Sequence, residues 1–541
     1  MSSEKKNLPP LPISVQGGGK PPVKRFFRLT RSFFSRGASR RPAASVFGLL
    51  VLLTAGCAVG PDFVRPKPPQ VRNYTGNPAP EETATGAGQA QRFEMGEKIV
   101  EEWWRLFNSP ELDAVVRKAV DENQTLQSAL ARLRQSRENL RAGYGVFFPQ
   151  IDSSFGAVRQ KFTPTQFGFT GIGSSTFNLY TFNNTVSYVV DVFGGERRQV
   201  ESLAAQAEYQ KQNARAAYLT LVGNVANTAI AGAAYRAEIQ ATEQIIGFEE
   251  QQLRITENQV RAGTVPFSNV LAVRAQLEAS EATLPPLQKS LSQTEHLLSA
   301  LVGKTPEQWA PPPFDLAGFT LPVQIPLSLP SELTRLRPDI VAAEAQLHAA
   351  SANVGVATAA MLPHLTLSGN YGWDSTAITT LLGPGSNFWL MGANLAAPIF
   401  HGGTLWFQRR AAIEAYQAAL SDYRQSVVAG FQQVADSLRA LEADAHAVEA
   451  QYESLETAKR NMELVRVNHE AELVNYLQVL SAGIQYQQAR LGFVQARALR
   501  LQDTTALFLA LGGGWWEPQE AVPAESENNV LPKFHKPDEI K

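Results

Sequence analysis

Cysteine is almost missing: the 541 residues contain one, Cys57. A single thiol excludes an intrachain disulfide and any zinc site built from several cysteines. No Gly-rich loop ending in Gly-Lys-Ser/Thr is present, so the usual cradle for a nucleotide phosphate is lacking. No Gly-x-Ser-x-Gly elbow occurs either, which removes the commonest hydrolase nucleophile. The seven histidines, at 296, 348, 364, 401, 446, 469 and 535, show no metal-ligand spacing, and His469-Glu470 has no second histidine four residues from the first. They read as lone surface side chains. Methionine follows Cys57 only at 95, 361, 391 and 462, too sparse for a copper relay. Neither an enzyme nor a metal or other cofactor is expected. Charged residues make up only 18%, and the net charge of −1 hides an asymmetry. Residues 1–56 hold ten of the 49 bases and one of the 50 acids, leaving the remainder at −10. A chain of that sign is no general nucleic-acid binder.

What is there begins with a basic stretch, Lys24 to Arg41, followed by the apolar run Ala43 to Leu53 and then Thr54-Ala55-Gly56-Cys57. That order is a secretion signal. The run is about half the roughly 20 residues a spanning helix needs, so cleavage is expected, with 1–56 as the signal peptide. Leu53-Thr54-Ala55-Gly56-Cys57 resembles the lipobox of bacterial lipoproteins, which implies a covalent lipid on Cys57 as the new N-terminus. Ala58 follows, in place of the aspartate that retains some lipoproteins at the inner membrane.

The rest is an internal duplication. Leu133, Asn139 and Pro149 match Leu347, Asn353 and Pro363; Phe193 and Tyr209 match Phe400 and Tyr416; Ala262, Val265, Val270, Leu271 and Gly303 match Ala471, Val474, Val479, Leu480 and Gly512. The chain divides into an extension over 57–108, a first repeat over 109–304, a linker over 305–330, a second repeat over 331–512 and a tail over 513–541. Each repeat reads as helix, hairpin and two long helices. The first helix is predicted over Pro110 to about Val146, with Asn108 or Ser109 as cap and Pro110 in the first turn.

The hairpin strands are predicted at about 150–162 and 177–193, then 364–373 and 388–400. Tyr180, Phe182, Val186, Tyr188, Val190 and Val192 fall on one face, and Thr181, Asn183, Thr185, Ser187 and Asp191 on the other. Leu365, Leu367, Tyr371 and Trp373, with Trp389, Met391, Ala393, Leu395 and Ile399, repeat the pattern. Such aromatic-rich alternation suits a transmembrane barrel, lipid outside and water inside; a half-buried soluble sheet is the alternative.

Long helices are predicted at about 195–260, 267–303, 403–468 and 475–511. Tyr218, Val225, Gly232, Ile239, Ile246, Leu253 and Val260 recur every seventh residue, as do Val427, Val434, Leu441, Val448, Leu455 and Met462. Sustained heptads make a coiled-coil seam, and a helix of 195–260 would span roughly 100 Å. Four strands per chain cannot close a barrel, and open edges in lipid leave backbone groups unpaired. Three copies, giving twelve strands, are the smallest assembly with a plausible bore.

Several motifs then carry a family resemblance over about 53–516: Cys57-Ala58-Val59-Gly60-Pro61-Asp62-Phe63, Trp103-Trp104-Arg105-Leu106-Phe107, Arg337-Pro338-Asp339-Ile340 with Ala343-Glu344, Pro398-Ile399-Phe400-His401-Gly402-Gly403, and Ala510-Leu511-Gly512-Gly513-Gly514-Trp515. The sequence resembles the TolC-like outer-membrane efflux factors, in particular the NodT-type lipoproteins of tripartite pumps. The resemblance implies a mainly α fold with a transmembrane β-barrel: a homotrimer with a twelve-stranded barrel, a periplasmic α-helical barrel below it and an equatorial belt. It also implies a passive exit duct for small molecules such as drugs or metabolites. Expected partners are outer-membrane lipid, a periplasmic adaptor and an inner-membrane transporter of the RND type. The competing expectations are a lipid-anchored periplasmic scaffold or adaptor, and the same fold serving type I protein secretion. In the family, carboxylates constrict the periplasmic tip. Aligned on the Val-Leu after each turn, their places fall at Asn269, Gln478 and Ser481. A tip closed by amide hydrogen bonds and by Leu473 and Val474 is expected, with Arg261, Arg466, Glu470 or Glu472 as ion partners.

Overall fold

The computed structural model describes residues 58–514 except 72, 77–80, 86, 88, 89, 169, 170 and 172. The expected signal peptide, Cys57 and the tail beyond 514 lie outside the described residues.

The first repeat opens with α1 (Pro110–Glu122) and α2 (Gln124–Gly143). Ser109 is the cap, its hydroxyl accepting from the Leu112 N–H at 3.3 Å. Where one helix over Pro110 to Val146 is expected, the structure has two. Asn123 takes an extended conformation between them, caps the Leu126 N–H at 2.9 Å and donates to the Leu301 carbonyl at 2.8 Å. A short amide that bonds backbone on both sides is more stable as a cap than inside a helix. The second helix ends early in a 3-10 turn at Tyr144–Phe147.

The hairpin β2 (Gln150–Phe162) and β3 (Ser175–Val190) follows, then α3 (Gly195–Arg261) and α4 (Phe267–Leu301). The second repeat runs α5 (Pro330–Leu336), α6 (Pro338–Ala359), β5 (His364–Ser375), β6 (Asn387–Ala396), α7 (Thr404–Glu470) and α8 (Tyr476–Ala510). Between the repeats, β4 (Gln324–Leu327) pairs in parallel with β1 (Arg92–Met95). The return strand of the second hairpin stops at Ala396, so Ile399 lies beyond the sheet. Among the described residues no helix is long and apolar enough to cross a membrane.

Both α3 and α7 have 67 residues, about 100 Å of helix at 1.5 Å per residue. The heptad residues of α7 from Val427 to Val448 are buried. Helix α4 carries Pro285 and Pro286 in its interior. Each removes an N–H from the helix ladder; α8 has no counterpart.

The short helices stack on the returning ones. Asn123 at the start of α2 holds the end of α4, and Arg337 at the start of α6 donates to the Ala510 carbonyl at the end of α8 at 2.6 Å. Gly303 and Gly512, both at positive φ, let the chains meet there: a Cβ on Gly303 would stand 2.5 Å from the Glu122 carbonyl oxygen. Four helical pillars result, in the order α2 with α4, then α3, then α6 with α8, then α7, because α3 packs on both neighbours and α7 packs chiefly on α6 and α8.

The largest core sits at mid-height. Trp103, Trp104 and Phe107, from the aromatic motif, pack with Phe508, Leu112 and Val222, and the Trp103–Phe508 ring centroids are 5.4 Å apart. Two of the motifs that carry the family resemblance are thus packing devices. The Trp motif fills the core, and buried Arg337 bonds Ala510, Asp339 and Gln433.

Candidate conduit, anchor and tip

The four-stranded sheet has the order β2-β3-β5-β6, all antiparallel. Its register sorts the side chains into two faces, since alternate residues of a strand point oppositely. One face gathers Ile151, Phe155, Tyr180, Phe182, Val186, Tyr188, Leu367, Tyr371, Trp373, Trp389, Met391 and Leu395, with Ser153 and Asn184 among them and hydrogen-bonded to each other at 2.6 Å. Phe182 stacks on Trp373 at 5.8 Å, and Tyr371 meets Trp373 edge-on at 4.9 Å. The opposite face gathers Asp152, Ser154, Thr181, Asn183, Thr185, Ser187, Thr366, Ser368, Asn370 and Asn394. From Tyr180 to Val190 the apolar face covers eleven residues. At about 3.3 Å per residue and a tilt near 45°, that is an apolar band about 25 Å tall, the height of an outer-membrane barrel's lipid belt.

The sheet is open on both sides, at β2 and β6. The helical wall is open at the same two sides: α2 leads into β2, and β6 leads into α7. One lateral surface is therefore formed by β2, α2 and α4, the other by β6 and α7.

Residues 58–65 descend along the groove between α3 and α6. The Val59 N–H donates to the Phe193 carbonyl at 2.9 Å, and Gly60, at φ +94°, crosses Gly355 so closely that a Cβ would stand 2.4 Å from its Cα. Buried Arg198 donates to the Val59 carbonyl at 3.2 Å, to Asp62 at 2.5 Å and to Glu201 at 2.7 Å. Phe63 stacks on His348 at 4.3 Å, and the His348 Nε2 lies 2.8 Å from Glu201 Oε1. His348 is therefore no lone surface histidine; the partners come from segments far away in sequence. Ala58 packs on Gly194, where β3 has just ended and α3 begins. The residue after Cys57 thus sits at the foot of the sheet.

The sequence-derived tip residues lie at the far ends of the two helix pairs. Asn269, Gln478, Ser481, Leu473, Arg261 and Arg466 are exposed, and Val474 is half-buried. Arg261 bonds Asn258, and Arg466 approaches Glu470 at 3.9 Å. The Gln478 N–H is capped by the Asn475 side chain at 3.1 Å, and the Val474 carbonyl lies 3.0 Å from His469 Nδ1. Among the described residues of one chain, no hydrogen bond joins Asn269 to Gln478 or Ser481. A tie that sequence reasoning missed does join the pairs: the Tyr476 hydroxyl donates to Gln251 Oε1 at 2.9 Å. Its signal was a tyrosine on the first turn of α8 opposite a glutamine seam, visible only once the pairs are laid side by side.

The family model for outer membrane efflux proteins matches residues 115–304 and 329–513. The pyoverdine export outer membrane protein OpmQ of Pseudomonas aeruginosa is 29% identical over 434 residues, covering 78% of this chain and 89% of that protein. Nodulation protein T of Rhizobium leguminosarum bv. viciae is 28% identical over 406 residues, 74% of this chain and 79% of its own length. The solved Campylobacter jejuni CmeC outer membrane channel superposes with a TM-score of 0.76 at 21% identity, covering 86% of this chain and 96% of CmeC.

Proposed function

We propose, from the premise that this chain belongs to the outer membrane efflux protein family, that three copies close edge to edge into one passive duct. The chain is an outer-membrane channel protein that extends into the periplasm, and it serves as the exit duct of a tripartite efflux system. The observation that carries the trimer is the coincidence of open edges: β2 and α2/α4 on one side, β6 and α7 on the other. Because the two surfaces differ, contacts between copies are head to tail, and such contacts close only as a ring. Two copies give an eight-stranded barrel filled by its own side chains; three give twelve strands and a bore. Unpaired strand edges in lipid would cost several kcal/mol per group, so closure and membrane residence go together.

A diacylglycerol thioether on Cys57 fits the placement of Ala58 against Gly194, at the foot of the sheet. The expected partners are a periplasmic adaptor and an RND-type inner-membrane transporter, engaged at the tip formed by Arg261, Leu473 and their neighbours. A scaffold confined to the periplasm would have no use for the apolar sheet face.

Paired cysteines on β2 and β6 test the ring. With Ser154→Cys and Asn394→Cys in one chain, oxidation of outer membranes is expected to give bands that end at three copies. A ladder ending at two, or one growing without limit, would overturn the trimer. Incorporation of labelled palmitate, lost in Cys57→Ala, tests the anchor.

A further inference from the structure

The two faces of the sheet exchange character near the loop ends. On the face that is apolar through the lipid band, the outermost positions are Arg159, Lys161, Thr176, Asn178 and Asn387. On the face that is polar through the band, Val158, Phe162, Phe177, Leu179, Phe388 and Leu390 gather toward the loop ends, with Gln160, Ser175 and Asp374 the polar positions among them. The exchange falls about Tyr180, Trp373 and Trp389, the row expected of an aromatic girdle at the outer lipid boundary, with Leu390 next to Trp389 on its inner side. Above that row the exterior meets water, which accounts for the charged outer face. Nothing in the lipid requires an apolar inner one. Val158, Phe162 and Leu390 are exposed in the single chain, so among the described residues no loop buries them. Phe388 lies over Gly372, where a Cβ would stand 3.0 Å from its ring, so the ring is directed across the inner surface.

We infer that these six side chains, repeated by each copy, form an apolar collar inside the outer mouth that excludes hydrophilic solutes and passes amphiphilic ones. This rests on the trimeric duct proposed above. A ring of Phe, Leu and Val narrows the bore and holds water poorly, and such constrictions gate by dewetting. Below the collar the wall is Ser187, Ser368, Thr366 and Asn394, which water wets. The specificity of the duct's exit therefore resides in six side chains on the first turns of the strands, separate from the periplasmic tip.

Thiol labelling from outside tests the collar without depending on the tip. Ser187→Cys, deep on the polar face, is treated in intact cells with a sulfonated maleimide too large for general porins. The collar predicts slow labelling, accelerated about tenfold when Phe177 and Leu179 are both changed to Ser, and slow again in Leu179→Ile. Equal rates in all three backgrounds would overturn the collar. Val186→Cys, on the lipid face, separates this result from failure of the duct itself: it should stay unlabelled throughout. If it labels as readily as Ser187→Cys, the faces are not inside and outside of a barrel, and the duct reading falls. Where the double substitution prevents trimers, Leu390→Ser alone replaces it, with the same expectation in direction.

Discussion

The two long helix pairs have one architecture and opposite electrostatics. In the first pair, Arg236 of α3 donates to Glu295 of α4 at 2.5 Å, an opposite-charge clasp. In the second, one residue short of the equivalent positions, Asp444 of α7 faces Asp503 of α8. Burial, reinforced by the neighbouring carboxylate, pushes Asp444 up to about 7, against the pull of Arg500. The lesson is that duplication preserved shape while the interface chemistry diverged. The Arg236–Glu295 clasp is held at any ordinary pH; the Asp444–Asp503 contact responds to protons.

The same contrast recurs at the pillar junctions, where an amide and a guanidinium do one job. Arg337 is buried and bonds three partners, so Arg337→Ala leaves the Ala510 carbonyl and Gln433 without it. A loss of about 2–3 kcal/mol is expected, read as lowered heat resistance of the proposed trimer on gels. Asn123→Ala should cost only about 1–2 kcal/mol. Equal losses would show that the two junctions are equivalent after all.

The carboxylate pair comes next in size. Asp444 keeps its proton to about pH 7 when folded, but only to about its ordinary value of 3.8 when unfolded. Below pH 4 both states are protonated and nothing is lost; between pH 4 and 7 the folded state is progressively penalised, and above 7 the penalty is complete. Amide protection, corrected for the intrinsic rise of exchange rates with pH, should therefore fall more along α7 and α8 than along α3 and α4 as pH rises from 5 to 8. Asp444→Asn should abolish the difference; an unchanged profile would break the comparison.

Two smaller effects concern the tips. The first turn uses Gly263 at φ +75°, the second places Glu472 at φ +60°. Glu472→Gly should steady the second tip by about 1 kcal/mol, and Gly263→Ala should loosen the first by a similar amount, both read by local amide exchange. Tyr476→Phe removes the bond to Gln251 and should raise single-channel conductance in planar bilayers modestly. An unchanged conductance would leave that bond no part in closure.

Much of this was legible beforehand, because strands with a period of two and helices with a period of seven announce themselves. Tyr180 to Val190 and Val427 to Val448 needed only neighbours along the chain. What escaped depended on partners at long range: Asn123 reads as a helical residue until the Leu301 carbonyl is beside it, and His348 reads as solvated until Phe63 and Glu201 cover it. The collar is a different case. Phe177 and Leu179 stand in plain view, but their meaning depends on the register that puts them opposite in phase to Phe182.

The open sheet edges also bear on how much of the protein a cell can make. If three copies close the barrel as proposed, a lone copy has unpaired strand edges and no stable place in lipid, so its time before meeting two others is time exposed to proteases and chaperones. Yield in the membrane then rises more steeply than synthesis, and a modest drop in expression removes a disproportionate share of finished ducts.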